Sequence, residues 1–424
     1  MPRPRLAIIG TGISGLGCAY FLHRRFDVTL FEANDYIGGH TNTVTVNEDG
    51  RELPVDTGFM VFNHQTYPLL CRLFNELGVE TKRTDMSFSL AHLPTGYEYN
   101  GHSLDTLFGQ RSNLLSPRFW SFLLKINRFN HETIEALDDP GIERMTLREY
   151  VRAKGYGQDF LDLYIVPMGS AVWSTPPELM LDFPARTLMH FWYNHGFLGM
   201  KTRHPWWTVC DGSRQYVRKI TAPFAERIRL STPVARIDRT DSGVTVYPQT
   251  GPAEQFDKVI LATHAPTSLK MLATPTSLEH EVLSCFKYQP NLATLHTDDR
   301  FMPGTRRCWA AWNYRVKFDR DGGIQPSTHY WMNQLQGVSD KVNYFVSING
   351  AEDIDPAKII RRIHYEHPLF DLAAIDAQQR VPDLQGPNTF FCGAWSRYGF
   401  HEDGLMSAVQ VCTNLLSGDP WTLR

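Results

Sequence analysis

The stretch from Leu6 to Glu32 constrains this chain more than any other. Leu6-Ala7-Ile8-Ile9 is a continuous apolar run, as a parallel strand covered on both faces requires. It leads directly into Gly10-Thr11-Gly12-Ile13-Ser14-Gly15, after which Leu16, Ala19, Tyr20 and Phe21 keep a helical period to about Arg25. A second strand, Val28-Thr29-Leu30-Phe31, ends at Glu32, 22 positions beyond Gly10. In such a loop the first glycine permits a tight turn, the second a close backbone approach to a pyrophosphate, and the third close helix–strand packing. The helix N-terminus adds amide donors and partial positive charge, and an acid at the place of Glu32 accepts ribose hydroxyls. A GxGxxG loop alone is a weak signal. Strand, loop, helix, strand and acid in register predict a dinucleotide-binding βαβ unit.

The dinucleotide is NAD or FAD, and the next loop bears on the choice. Ile37-Gly38-Gly39-His40-Thr41 offers a second close-approach glycine pair, which NAD enzymes do not usually need, and only one GxGxxG fingerprint occurs. Phe256–Thr263 reads as another buried strand, closing in the small residues Ala262 and Thr263. Pro233–Ile237 and Gly243–Val246 form a short antiparallel meander before it, and Thr389–Ala394 is a strand running into a loop. Gly404-Leu405-Met406-Ser407 opens a closing helix. Nucleotide elements at the start, middle and end imply one domain interrupted by another. The expected division is 1–65, 206–265 and 386–424 for the nucleotide domain, and 66–205 with 266–385 for the substrate domain.

Composition sets the outer limits. A length of 424 residues fits two or three domains, and a formal net charge of −3 argues against a nucleic-acid partner held by bulk positive charge. Seven cysteines, an odd number without a CxxC pair, point to free buried thiols and a cytoplasmic setting. Arg3 and Arg5 before an apolar stretch imitate a signal peptide, but the glycine spacing favours the βαβ unit. No later run approaches the ~18 apolar residues of a membrane span.

The whole arrangement resembles the flavin-containing amine oxidase superfamily, which includes protoporphyrinogen oxidases and carotenoid desaturases. The motifs Val55-Asp56-Thr57-Gly58-Phe59-Met60-Val61-Phe62-Asn63, Tyr330–Gln336 and Gly399-Phe400-His401-Glu402-Asp403-Gly404 resemble a narrower group. These are bacterial FAD proteins akin to the flavin domain fused to plant cyclopropane-fatty-acid synthases, some linked to desaturation of methyl-branched acyl chains. The resemblance implies an α/β fold in which a Rossmann-like FAD domain is interrupted by a mixed α+β substrate domain. It implies FAD contacts from Gly10, Thr11, Gly12, Ile13, Ser14, Gly15, Phe31, Glu32 and Ala33 on the ADP side, and from Gly38, Gly39, His40 and Thr41 at the pyrophosphate. It extends them to Thr57, Gly58, Phe59, Met60, Ala262 and Thr263, to the backbone of Val234 on the adenine side, and to Gly393, Ala394, Asp403, Gly404 and Leu405 beside the flavin. Two departures stand out. His40 replaces an arginine common after the glycine pair, and Ala394 replaces a common acid. No lysine is evident where many amine oxidases place one near the flavin, whereas the strand Asn291–His296 offers His296.

The candidate proton-transfer groups are therefore His401, Glu402 and His296, with Glu402 equally able to serve as a helix-terminal acid. His40 is expected to donate a hydrogen bond to the cofactor rather than to transfer a proton. Aromatic runs at Tyr164–Trp173, His190–His195, Pro205–Trp207 and Trp309–Tyr314 are core by default. Their lack of charge nonetheless suits an apolar tunnel, with Trp173, Trp192 and Trp312 as substrate contacts. His364 with His367, and His190 with His195, lack a matching cysteine or acid set, so no metal is expected. The helix-like stretch Phe119–Leu137 packs on the substrate domain or presents a face to a membrane surface, giving a cytoplasmic chain with peripheral contact.

The expected function is FAD-dependent removal of hydrogen from a lipidic substrate, such as the desaturation of a methyl-branched acyl chain. The alternatives are an amine or porphyrinogen oxidase, or a flavin-bound, non-redox partner of a lipid methyltransferase. With a single dinucleotide fingerprint, the reoxidant is expected to be oxygen, a quinone or a protein.

Overall fold

Arg5–Ile9 becomes the central strand of a five-stranded sheet in the computed structural model, which describes residues 2–199, 202–318 and 322–423. The order is Thr389–Phe391, Lys258–Leu261, Arg5–Ile9, Asp27–Phe31, Ile228–Arg229, and every pairing is parallel. The apolar run is continuous because both faces are covered, one by helices and the other by the antiparallel strands Val234–Thr240, Gly243–Pro248 and Glu254–Phe256: Leu6, Ala7 and Ile8 are fully buried. The helix Ile13–Leu22 leaves the loop and is buried along its whole length. It lies against the last long helix, His401–Leu416, where a Cβ on Gly17 would stand 3.0 Å from Leu405. A Cβ on Gly15 would fall 2.0 Å from the Gly10 carbonyl oxygen, so this turn admits no side chain there.

Two expected elements are drawn differently. Phe256–Thr263 is not one strand. Glu254–Phe256 closes a three-stranded antiparallel sheet with Val234–Thr240 and Gly243–Pro248, and Lys258–Leu261 joins the parallel sheet. The break falls at Asp257, whose carboxylate accepts the Arg5 amide at 2.7 Å and ties the two sheets together. The closing helix begins at His401 rather than Gly404, because the Asp403 carboxylate accepts the Phe400 amide at 2.9 Å and caps the earlier turn.

The second large sheet has seven strands in the order Ile359–Leu369, Lys287–His296, Phe345–Ile348, Ile324–Trp331, Trp312–Phe318, Phe88–His92, Tyr97–Asn100. Its pairings are antiparallel except that between Trp312–Phe318 and Phe88–His92. Helices pack beside it, among them Pro117–Ala136, which buries Phe119, Phe122 and Phe129. A chain passage with one π-helical turn, Leu161–Ile165, delivers Val166–Trp173. Such turns are often found beside functional sites. The short ladder Thr81–Thr84 with Trp206–Val209 bridges the segments expected to belong to the two domains. Among the described residues, no helix is long and apolar enough to cross a membrane.

Candidate functional site

A cavity of about 510 Å³ runs from the glycine loop to the aromatic side chains of the seven-stranded sheet and its helices. Its cofactor end follows from the sequence order. Gly10, Thr11, Gly12, Ile13 and Ser14 form its floor, and Glu32 and Ala33 one wall. The buried Glu32 carboxylate accepts the Thr11 amide at 2.9 Å with one oxygen and the Asn34 amide at 2.9 Å with the other. Phe31 lies behind the wall, fully packed, and its carbonyl takes the Gly10 amide at 2.8 Å.

The second glycine loop closes on the first. Gly38 has φ +121°, and a Cβ there would meet the Thr41 carbonyl oxygen at 2.6 Å; its amide points to Thr11 Oγ1 at 3.4 Å. A Cβ on Gly39 would be 3.2 Å from the Gly12 backbone, so both loops share one cradle. His40 stacks on Tyr365 at 4.8 Å, and its Nε2 is buried without a hydrogen-bond partner. Gly58, Phe59 and Met60 line the cavity beneath, with the Phe59 amide donating to the His40 carbonyl at 2.7 Å. Thr57 stands outside, bonded to the Asn42 carbonyl and the Tyr365 hydroxyl.

Opposite, Ala262, Thr263, Gly393 and Ala394 line the wall. The N-terminus of the last helix meets that of the first, with Ser14 Oγ donating to the Gly404 carbonyl at 2.9 Å. His401 faces the cavity from this helix end, stacked on Phe59 at 3.8 Å. Its Nε2 lies 2.9 Å from Thr41 Oγ1 and 3.0 Å from the Tyr216 hydroxyl, which are 2.5 Å apart. Thr41 thus touches His401 and does not line the wall. Burial pushes the His401 imidazole down to about 3, leaving it neutral and able to hold a proton at one nitrogen only.

Several expected residues are placed elsewhere. Glu402 turns away from the large cavity, and its two oxygens accept the Leu69 and Leu70 amides at 2.9 Å each. It caps the helix Pro68–Leu77 and borders a separate pocket of about 300 Å³. His296 is buried between strands, with Nε2 2.6 Å from Ser347 Oγ and Nδ1 accepting the Asp298 amide. A histidine can look catalytic in sequence while serving as a satisfied core hydrogen-bonding group, and His296 is one. Trp192 is 0 % exposed and packs against Phe129 and Tyr164, so it is core rather than substrate wall. Gly15, Gly404 and Leu405 support the cradle by packing, Asp403 caps its own helix, and Val234 pairs with Pro248 in the three-stranded sheet.

Trp173 and Trp312 do line the cavity, joined by Phe191, Phe197, Trp206, Tyr330 and Met86. Sequence reasoning missed His195, Tyr67, Tyr216, His264 and Glu366 as neighbours of the site. His264 had a signal, since it directly follows Thr263 at the end of a cofactor strand. Tyr216 had none, lying on a helix whose register brings its hydroxyl beneath Thr41. His364 and His367 are not a metal pair: only His367 reaches the cavity, and its Nδ1 accepts from Asn291 at 2.9 Å. Among the described residues, no group of three or more His, Cys, Asp or Glu side chains is arranged to hold a metal.

The cradle fits an FAD. It offers a helix N-terminus, two glycine approaches that a Cβ would fill, a buried acid at the ribose end and an unpartnered buried imidazole nitrogen. The model of the flavin containing amine oxidoreductases matches residues 13–313. A curated relative, the lysine-specific histone demethylase 1B homolog of Caenorhabditis elegans, is 24 % identical over 301 residues, covering 66 % of this chain. This chain spans 34 % of that relative's length. Among solved structures, a double mutant of putrescine oxidase aligns with a TM-score of 0.71 and 14 % identity over 98 % of this chain and 99 % of its own. Cyclohexylamine oxidase from Brevibacterium oxydans gives 0.67 and 16 % over 98 % and 100 %. The CLA-producing fatty acid isomerase from P. acnes gives 0.67 and 16 % over 97 % and 98 %. The chain belongs to the flavin-containing amine oxidoreductase family, whose members are FAD-dependent oxidoreductases.

Proposed function

We propose that this chain removes hydrogen from a lipidic substrate, an acyl chain, held in the aromatic end of the cavity. The observation that carries this reading is the absence of a carboxylate among the described residues of that chamber. The acids on the cavity wall are Glu32, engaged by Thr11 and Asn34, and Glu366, paired with His264 at 3.0 Å and largely exposed. Trp173, Phe191, Phe197, Trp206, Trp312 and Tyr330 give a cationic amine no counter-charge. Glu402 and Asp403 border the smaller pocket, but both Glu402 oxygens are already bonded. That the same fold serves a fatty acid isomerase supports the plausibility of an acyl occupant.

Bound FAD supplies the hydride acceptor. The chain's own residues would orient an acyl C–H bond in the apolar chamber, exclude water with its aromatic walls, and hold His401, which burial keeps neutral, in place through its contacts with Thr41 and Tyr216. We assign His401 as the proton-holding group, the cradle residues as cofactor contacts, and Trp173 and Trp312 as substrate contacts. The division at 1–65, 206–265 and 386–424 against 66–205 and 266–385 belongs to the same proposal.

A membrane is the natural source of such a substrate. Leu104, Leu114, Leu115, Trp120 and Leu124 are exposed around one end of the helix Pro117–Ala136, Leu115 at 88 %, with Arg111 and Arg118 beside them. We assign this face to peripheral contact with an anionic bilayer. Anaerobic mixing of the FAD-loaded protein with acyl lipids tests the substrate class. Bleaching of the oxidised flavin band is expected with acyl chains, and bleaching by amines alone would replace this reading with an amine oxidase. A flavin that stays oxidised beside a stable lipid-methyltransferase complex would favour the non-redox role.

A further inference from the structure

FAD brings a doubly charged pyrophosphate, yet among the described residues of the cavity wall there is no lysine and no arginine. Three imidazoles line the wall near the two glycine loops. His40 follows the glycine pair whose backbone meets Gly12. His264 follows Thr263, whose methyl lies against Gly10. His367 presents its ring edge-on to His40 at 5.2 Å.

Their surroundings are specific. His40 has Tyr365 on its face, His367 at its edge and Nε2 buried without a partner. His367 has Asn291 at Nδ1, which accepts the amide hydrogen and leaves the proton on Nε2. His264 stacks on Tyr288 at 4.2 Å and meets the Glu366 carboxylate at 3.0 Å. His401 also faces this group, and Glu32 occupies the ribose end with both oxygens engaged. Among the described residues, Glu366 is the one anion hydrogen-bonded to any of the three rings, through His264.

We propose that His40, His264 and His367 together form a protonatable counter-charge for the FAD pyrophosphate, so that cofactor binding takes up one proton from solvent. In the empty cradle all three are neutral: burial and then the neighbouring imidazoles hold His40 well below its ordinary value. Burial likewise brings His367 down to about 4, and it lowers His264 despite the opposing pull of Glu366. A bound dianion favours the charged form of a ring within reach and raises its pKa. The sign follows. Affinity is constant below the empty-state values, weakens by up to about tenfold per pH unit between the empty- and loaded-state values, and is constant again above them. The fixed charge of an arginine at position 40 would do the same electrostatic work without titrating.

The test is titration calorimetry of the full-length apoprotein with FAD near pH 7, in phosphate-free buffers of different ionisation enthalpy. About one proton taken up per FAD is expected, with a dissociation constant that rises as the pH climbs above the cofactor-free values of the three rings, about 4 for His367. Riboflavin, which has no phosphate, should bind without that uptake. His40→Arg should keep FAD binding and lose most of the uptake. Wild-type binding with no proton exchange and a flat affinity profile would overturn the proposal. Equal uptake with riboflavin would overturn the assignment to the pyrophosphate. Neither wild-type result depends on whether a variant folds.

Discussion

Replacing Glu402 should damage the fold more than the chemistry. The helix Pro68–Leu77 has no side-chain cap from its own first turn; its Leu69 and Leu70 amides donate instead to Glu402, across more than three hundred positions of chain, at 2.9 Å each. Charge-assisted hydrogen bonds of this kind contribute ~1.5–3 kcal/mol apiece, and a carboxylate at a helix N-terminus adds ~0.3–1 kcal/mol. Glu402 is 4 % exposed but borders the smaller pocket, from which water can partly replace it. The net loss for Glu402→Ala is then about 2–3 kcal/mol. An unfolding entropy of about 2.1 cal/mol/K per residue, applied to 424 residues, converts this to a fall in Tm of about 3 °C. Glu402→Gln keeps one acceptor oxygen and should lose about half as much. The assay is thermal unfolding of the FAD-loaded variants, paired with the rate of flavin reduction well below Tm. An unchanged Tm with flavin reduction slowed about a hundredfold would refute the capping role and restore Glu402 as a proton-transfer group.

Three further outcomes are expected. Gly15→Ala, at a residue that does not line the cavity, places a methyl 2.0 Å from the Gly10 carbonyl oxygen. The resulting displacement, ~1–3 kcal/mol of overpacking, should weaken FAD binding about tenfold or more, as read by flavin fluorescence. Burial raises the Asp403 carboxyl from 3.8 to about 7, against the pull of its bond to the Phe400 amide. The folded chain therefore holds a proton the unfolded chain has released, and stability falls as pH rises from about 4 to about 7. Asp403→Asn keeps an acceptor for Phe400 and should flatten that fall in denaturant titrations. Finally, Leu115→Glu combined with Leu124→Glu should abolish sedimentation with anionic vesicles while leaving flavin absorbance unchanged; retained binding would remove that face from the membrane assignment.

The cofactor half of the site was legible because its chemistry is written in backbone. Gly10, Gly15, Gly38 and Gly39 are needed where a Cβ would crowd neighbouring main chain, whereas a Cβ on Gly12 would meet no atom of the chain and would only fill the cradle; glycines at such fixed spacing survive as a sequence signal. The parallel strands were legible for a similar reason, since burial on both faces leaves an uninterrupted apolar run. Side-chain roles were not. Glu402 and His401 are adjacent in sequence, but successive helical residues point in different directions, one into the smaller pocket and cap, the other into the cavity. His296 and His367 lie on adjacent strands of one sheet; only the placement of Ser347 and Asn291 turns one into core and leaves the other on the wall. Trp192 and Trp173 likewise differ only in which side of their helices meets the cavity.

The central claim is that an acyl chain gives up hydrogen in the aromatic chamber. Its most direct test is a single anaerobic turnover of the FAD-loaded protein with a methyl-branched acyl lipid, followed by mass spectrometry of the lipid. A product lighter by one pair of hydrogens, formed in step with flavin bleaching, is the expected result. A lipid of unchanged mass, whether untouched or with a shifted double bond, would contradict it.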